Sequence, residues 1–479
     1  MLAKSWVARI AGWRLRGAPT VAVLLSAAAY GTLAYATPRA DFGQLLGLFG
    51  VAFGLYAVLL RWPLPLRAGL LAALLLRLLW LPALPTLSDD YHRFRWDGLL
   101  VAAGINPFQY RPDEFDFRSS SFVVRLESEK VAADNKRQPT RNEQQTTSNE
   151  LRLLYPRLNS PHYYSVYPPV CQAVFGLAAG LFPASERGAV LLMRLVLLLA
   201  EAATAGLLLA LLRQRGLPPQ RALWYLLNPL VIVELTGNLH FEALVVALLL
   251  LALLLLERGR WVWSAGALGL AVGTKLLPLL VLPLLLRRLG WRRFGGYAVL
   301  TVVVVALLFA PFLSAELVRN IGRSLNLYFR SFEFNASLYY LLRAGGYWLT
   351  GYNQIARIGP ALALGSVVLA LGLTLGEKHP TWATLPGTLL LLLTGYYLLA
   401  TIVHPWYLTP LVALSVLTRY RYALVWSGLA VLSYAAYQTT AYTENPWLLT
   451  LEYGGLLLLL TWELRRARRL PAPGFCEAV

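Results

Sequence analysis

Apolar runs of about 20 residues recur along this chain, separated by short loops rich in Arg. Runs such as LRAGLLAALLLRLLWLPALP, RGAVLLMRLVLLLAEAATAGLLLALL and GYAVLTVVVVALLFAPFL are each long enough to cover roughly 30 Å of hydrocarbon as a helix. In that environment every backbone N–H and C=O must be satisfied within the segment, which restricts the chain to helices. Composition agrees: of 479 residues, 57% are hydrophobic and only 14% charged, with a mean hydropathy of +0.55. A soluble domain carries about a quarter charged residues. These values exclude a single soluble globular domain and predict an all-α polytopic membrane protein.

The formal net charge of +19 is concentrated in WRLRG near the start, RWPLPLR at 61–67, RQRG at 213–216, ERGR at 257–260, RRLGWRR at 287–293, RYR at 419–421 and RRARR at 465–469. Short basic loops on one side of a membrane are what the positive-inside rule describes. The charge is therefore a topology signal and calls for no nucleic acid. Cys171 and Cys476 suggest no disulfide framework.

Placing those loops in the cytoplasm nearly dictates the path. Helices near 18–36, 42–61 and 66–85 lead to an external segment, 86–166, whose polar middle predicts helices lying along the surface. YPPVCQAVFGLAAGLFP is read as a short re-entrant or surface helix at 167–183, because a full crossing there would put RQRG outside. Crossings follow at 188–212, 220–237 and 240–257. Segment 261–287 begins and ends beside basic loops, which predicts a broken hairpin hinged at Gly273-Thr274-Lys275. Further crossings at 295–313, 355–376, 382–402, 405–418, 421–440 and 446–464, with a second external segment at 314–354, make roughly twelve full crossings plus the hairpin. The chain divides into an N-terminal segment with two accessory helices (1–65), a core (66–418), and C-terminal helices with a basic cytoplasmic tail (419–479).

This path gathers the unusual residues on the outer face. Asp89, Asp90, His92 and Arg93 occur in SDDYHRFRWDG just after the third helix. Tyr163, Tyr164 and Tyr167 follow the long loop. Asn238, His240 and Glu242 occur in TGNLHFEA, Asn335 in FEFNASLYY, and His404, Trp406 and Tyr407 in VHPWYLTP, with Lys275 at the hairpin tip. Each has a plainer reading. Asp89 and Asp90 suit helix capping, although two acids beside two Arg exceed what a cap needs. Lys275 can snorkel, His404 can satisfy a local carbonyl, and the aromatics can form an interface belt. Arg194 and Glu201, seven residues apart within one crossing, are read as a structural pair or as partners of neighbouring helices.

No Gly-rich phosphate loop, zinc motif or Ser/His/Asp arrangement stands out. What remains is carboxylates at the membrane boundary with Arg, Lys and His nearby. A carboxylate can take the proton of an attacking hydroxyl, and fixed cations can stabilise a departing phosphate. That combination suits sugar transfer from a lipid-linked sugar phosphate. A transporter or flippase is the alternative. It would gather polar residues at the midplane and often show repeated halves, and neither is visible here.

DYHRF, directly after a hydrophobic helix at the start of the first external loop, resembles the acidic signature of the GT-C superfamily of integral-membrane glycosyltransferases. RWDGLLVAAGINPFQYRP, SVYPPVCQAVFGL, GNLHFEALVVALLLLAL, AGALGLAVGTKLLPLLVLP, FEFNASLYYLL and VHPWYLTPLVAL are similar, in order, to segments of its polyprenyl-phosphate-mannose-dependent mannosyltransferases, over about residues 66–418. The resemblance implies a GT-C-like fold and inverting transfer of a sugar, mannose by the family, from a polyprenyl-phosphate donor. The acceptor hydroxyl would belong to a lipid or glycan on the external face of a bacterial inner membrane. It places the general base at Asp90, with Asp89 as the other possibility in the pair. Arg93, Lys275 and His404 are then the expected donor-phosphate ligands. His92, Tyr167, Asn238, His240, Glu242, Asn335, Trp406 and Tyr407 are the expected substrate-binding residues. No metal, cofactor or nucleotide sugar is expected, since a single phosphate leaves.

Overall fold

The computed structural model describes residues 17–62, 64–115, 141–439 and 442–469. Among the described residues the architecture is all-helical, with an isolated parallel bridge between Phe334 and Ile402. Among the described residues six helical stretches are long and apolar enough to cross a membrane: Gly17–Tyr35, Phe42–Arg61, Glu186–Gln214, Leu277–Phe312 (itself broken at Gly290), Ile355–Gly376 and Pro446–Ala467. Pro229–Gly237 and Glu242–Glu257, bent by 114° at their junction, would make a seventh. Several of the roughly twelve crossings read from the sequence are here broken or shorter helices. The run at 220–237 is interrupted at Asn228-Pro229, where the Asn228 side chain accepts the Val231 N–H at 3.2 Å and starts a new turn. Trp261–Val272, Leu385–Leu399 and Pro405–Val416 are apolar but shorter than a full span.

Other expectations hold locally. Pro169–Leu181 is a 13-residue helix where a short one is expected at 167–183. In the segment 86–166 Arg141–Leu154 is helical, while 116–140 lies outside the described residues. The segment 314–354 carries helices Leu317–Arg330 and Leu338–Thr350.

The hairpin is visible in packing. A Cβ on Gly296 would meet the Trp261 ring, one on Gly269 would meet Val304, and one on Gly273 would meet Leu308. The Ser264 and Tyr297 hydroxyls share a hydrogen bond of 2.9 Å. Residues 261–273 thus run beside 296–308 in the same direction, so the chain between must travel back. Gly273-Thr274 caps the first leg, and Gly290, at φ 72 and ψ 159, makes the second reversal. Only Gly adopts that conformation without strain.

Several of the basic loops meet at one end of the molecule. Arg215 pairs with Glu257 and donates to the Trp382 and Ala383 carbonyls at 3.0 and 3.1 Å. Arg288 pairs with Glu377 at 2.7 Å, and Glu463 accepts the Arg421 backbone N–H at 3.0 Å. The long helix Glu186–Gln214 shows the polarity. Gln214 donates to Glu257 at 3.2 Å, whereas Glu186 lies 3.5 Å from Arg157 and 3.7 Å from Arg95 near the start of Asp90–Ala102.

Between the ends, Arg194 and Glu201 serve different neighbours. Glu201 pairs with Arg77 and accepts from Thr236 at 3.4 Å. Arg194 donates to the carbonyls of Leu81 (3.0 Å), Ala83 (2.6 Å), Thr236 (2.8 Å) and Gly237 (3.0 Å). It therefore satisfies backbone acceptors freed where two helices unwind, which buried irregular backbone requires.

Helix Asp90–Ala102 packs along Pro169–Leu181, and Gly98 permits the approach. A Cβ there would collide with the Phe175 carbonyl oxygen, a backbone atom that cannot rotate away. Gly98→Ala is therefore expected to lose about 1–3 kcal/mol of stability, read as a lower melting midpoint in detergent. Gly180→Ala, whose added atom would lie 4.0 Å from Ala102, should melt like the parent.

Candidate active site

Asp90 begins helix Asp90–Ala102, and its backbone N–H donates to the Ser88 hydroxyl at 3.3 Å. Its carboxylate accepts from the Asn159 amide at 3.0 Å and from the Tyr167 hydroxyl. Among the described residues no ion pair reaches it. Burial, partly offset by Asn159 and reinforced by the negative charges of Asp89 and Glu242, raises its pKa above the usual carboxylate value. Asp89 is different: Arg39 holds it in an ion pair at 2.6 Å.

The next side chains come from the bent helix. Its first part ends in a π-helical turn, Ile232–Gly237, and Leu239 follows at φ 63. Such wide turns and left-handed non-Gly residues concentrate at functional sites. The break turns His240 and Glu242 inward, both buried. Within the turn, Glu234 accepts from Asn238 (3.1 Å) and the Tyr434 hydroxyl and faces His240 at 3.2 Å. Glu242 pairs with Lys275, which the hairpin tip delivers. That tip is fixed to the start of Pro169–Leu181, where the Val170 N–H donates to the Gly273 carbonyl at 2.9 Å.

Lys275 also lies 3.7 Å above the centre of the Tyr407 ring. From there four rings stack in sequence. His240 lies on Trp406 at 3.7 Å, Trp406 on His404 at 4.3 Å, and His404 on Phe334 at 4.7 Å. Phe334 leans on Tyr437 at 5.7 Å, and Arg39 covers the Tyr437 ring at 4.6 Å while pairing with Asp89. The contacts thus lead from Lys275 to the acidic pair and draw on seven separated stretches of chain. Burial, followed by the nearby Lys275 charge, depresses the His404 pKa well below the usual imidazole value. His404 is therefore neutral and can offer a hydrogen bond but no charge.

Asp89, Asp90, His240, Glu242, Lys275, His404, Trp406 and Tyr407 belong to this set of contacts, and Tyr167 joins it through its hydrogen bond to Asp90. Asn238 supports it from behind through Glu234. Three expected residues have other partners. Arg93 is buried in an i,i+4 pair with Asp97 (2.8 Å) and donates to the Ser160 and Tyr163 carbonyls. His92 rests on Tyr91 at 4.0 Å and faces Glu186 at 3.7 Å. Asn335, at φ 47, is clamped by Glu444, Glu452 and the Val403 carbonyl. It shapes the backbone beside Phe334. In each case the closer competing partner takes the side chain.

The sequence reading passed over Glu234, Tyr434, Tyr437 and Arg39. Two of them carried a signal. Glu234 is an acid inside an apolar run, VIVELTGNLH, which by default marks a functional position. Arg39 is a basic residue on the opposite side from the basic loops. The two tyrosines had none. Among the described residues no three His, Cys, Asp or Glu side chains converge as metal ligands.

Residues 161–289 match the family model described as alpha-(1->6)-mannopyranosyltransferase, N-terminal domain (the MptA_B family). No curated protein matches the chain. The matched span is less than half the chain and includes Tyr167, the break at His240–Glu242 and the Lys275 tip. Over that span the chain is similar to a mannosyltransferase-like membrane glycosyltransferase.

Proposed function

We propose that the chain is an inverting mannosyltransferase that takes its sugar from a polyprenyl-phosphate donor. One observation carries the reading: Asp90, a carboxylate with no cationic partner among the described residues, belongs to a connected set of side chains that includes Lys275, in a chain whose residues 161–289 match a mannosyltransferase family model. The acceptor hydroxyl approaches Asp90. Its oxygen forms a bond to the anomeric carbon while its proton passes to the Asp90 carboxylate. The bond from that carbon to the donor phosphate oxygen breaks with its electron pair, and polyprenyl phosphate departs beside Lys275. Glu242 holds Lys275 in place until phosphate competes for it. Neutral His404 adds a hydrogen bond. Arg93 acts at one remove, through Asp97 and the 160–163 backbone.

The twelve-crossing path with the site on the external face of a bacterial inner membrane is part of the same proposal. It is supported by the separation of the basic loops from the acidic pair. Full-length chain in liposomes should transfer label from polyprenyl-phosphate-mannose to a glycolipid extract. Absence of transfer with every lipid-phosphate sugar, together with protein-dependent passage of the labelled lipid across the bilayer, would favour the flippase reading. Lys275→Ala should raise the donor concentration needed for half-maximal rate by about tenfold or more, since a charge-assisted contact is worth about 1.5–3 kcal/mol. An unchanged donor requirement would remove Lys275 from the phosphate site.

A further inference from the structure

Two adjacent acids pose a physical problem if one of them is to be a base, because each charge disfavours the other. Asp89 carries no helix-capping hydrogen bond in its side chain, so capping does not explain it. Its contact is with Arg39, at 2.6 Å, in the turn between Gly17–Tyr35 and Phe42–Arg61. The guanidinium is itself fixed, lying 4.6 Å above the Tyr437 ring. Tyr437 in turn contacts Phe334 and Tyr442 at 5.7 and 5.6 Å. A planar cation held between an aromatic face and a carboxylate is a built arrangement that Lys would reproduce in charge but not in shape.

We propose that Arg39 is a positioning residue: it fixes Asp89 and cancels its charge, so that Asp90 is the member of the pair left free to accept the acceptor's proton. The inference rests on the assignment of Asp90 as base. It gives the two N-terminal helices, which lie outside the resemblance, a contact at the site.

The groups facing Asp90 are accounted for element by element. On its own helix are Asp89 and, further round, His92. Asn159 and Tyr167 face it from the end of the first external segment. The bent helix presents Glu242, already paired with Lys275 of the hairpin tip, and Glu234, bonded to Tyr434. Tyr437 faces it from the 430–438 helix. Asp89 is thus the adjacent acid whose charge is answered by a residue of the accessory helices.

The sign follows from Coulomb's law. Without Arg39, the bare Asp89 charge disfavours ionised Asp90, whose pKa rises further. Arg39→Gln in the full-length chain should therefore move the acid limb of the transfer-rate profile upward by about one pH unit. Rate should fall most at low pH and recover toward high pH. Arg39→Lys should return most of the shift, and Arg39→Gln with Asp89→Asn should bring the limb back near its original position. The protonated-carboxyl infrared band that Asp90→Asn removes should titrate with the same displacement, and it reads Asp90 without any need for transfer. A limb and band that stay put in Arg39→Gln, or a rate lowered equally at every pH, would overturn the role of Arg39. Transfer that persists in Asp90→Asn would instead overturn the base assignment.

Discussion

Asp90→Asn should reduce sugar transfer by about 10²–10⁴-fold, the usual contribution of a positioned general base, while leaving donor binding nearly unchanged. The substitution keeps the shape and both hydrogen-bonding neighbours, Asn159 and Tyr167. It removes only the capacity to accept a proton, so a loss confined to the turnover rate separates chemistry from folding. The working form is the ionised carboxylate. Because burial raises its pKa, activity in the parent should fall with decreasing pH through a value above the ordinary carboxylate range. A raised pKa also makes it a better proton acceptor once ionised, so the two tendencies meet in a compromise near the operating pH. Asp89→Asn acts in the opposite sense to Arg39→Gln: it removes a neighbouring negative charge, and the acid limb should move to lower pH.

The largest effect on stability is expected at Arg77. This residue pairs with Glu201 and donates to the Leu226 carbonyl at 2.6 Å, with both side chains buried. Arg77→Met leaves the Glu201 charge buried with only Tyr225 and Thr236, each at 3.4 Å. Removing one partner of such a pair costs about 3–5 kcal/mol, whereas replacing both by apolar groups is often close to neutral. The melting midpoint in detergent should therefore drop sharply for Arg77→Met and recover substantially in Arg77→Met with Glu201→Leu. A double variant no better than the single one would mean that the Thr236 and Tyr225 contacts, and not the charge, hold these helices together.

The contrast between Arg77 and Arg194 shows where a sequence stops being informative. Arg194 and Glu201 share a helical face, which invited pairing, yet each charge turns to a different neighbour because unwound backbone at 81–83 and 236–237 needed a donor. The acids, the hairpin tip and the His/Trp segment were readable, since charge and irregularity inside apolar runs stand out by their cost. Their mutual contacts were not, because Arg39 to Asp89 and Phe334 to His404 join positions far apart in the chain. Arg93 could have been read better. Asp97 lies four residues on, and the i,i+4 pair that absorbs its charge is a local pattern. The number of spans was harder to read: hydropathy registers apolar length, while Asn228-Pro229 and Gly290 break helices at single residues.

The proposal of direct, single-step transfer at Asp90 is tested most directly by the anomeric configuration of the sugar in the product. Full-length chain should be supplied with labelled polyprenyl-phosphate-mannose and a glycolipid acceptor, and the configuration of the newly formed linkage determined by NMR. One attack by the acceptor hydroxyl, with Asp90 taking its proton, predicts a product of configuration opposite to that of the donor. A product that keeps the donor's configuration would contradict the account, because it would require a second displacement that a general base does not supply.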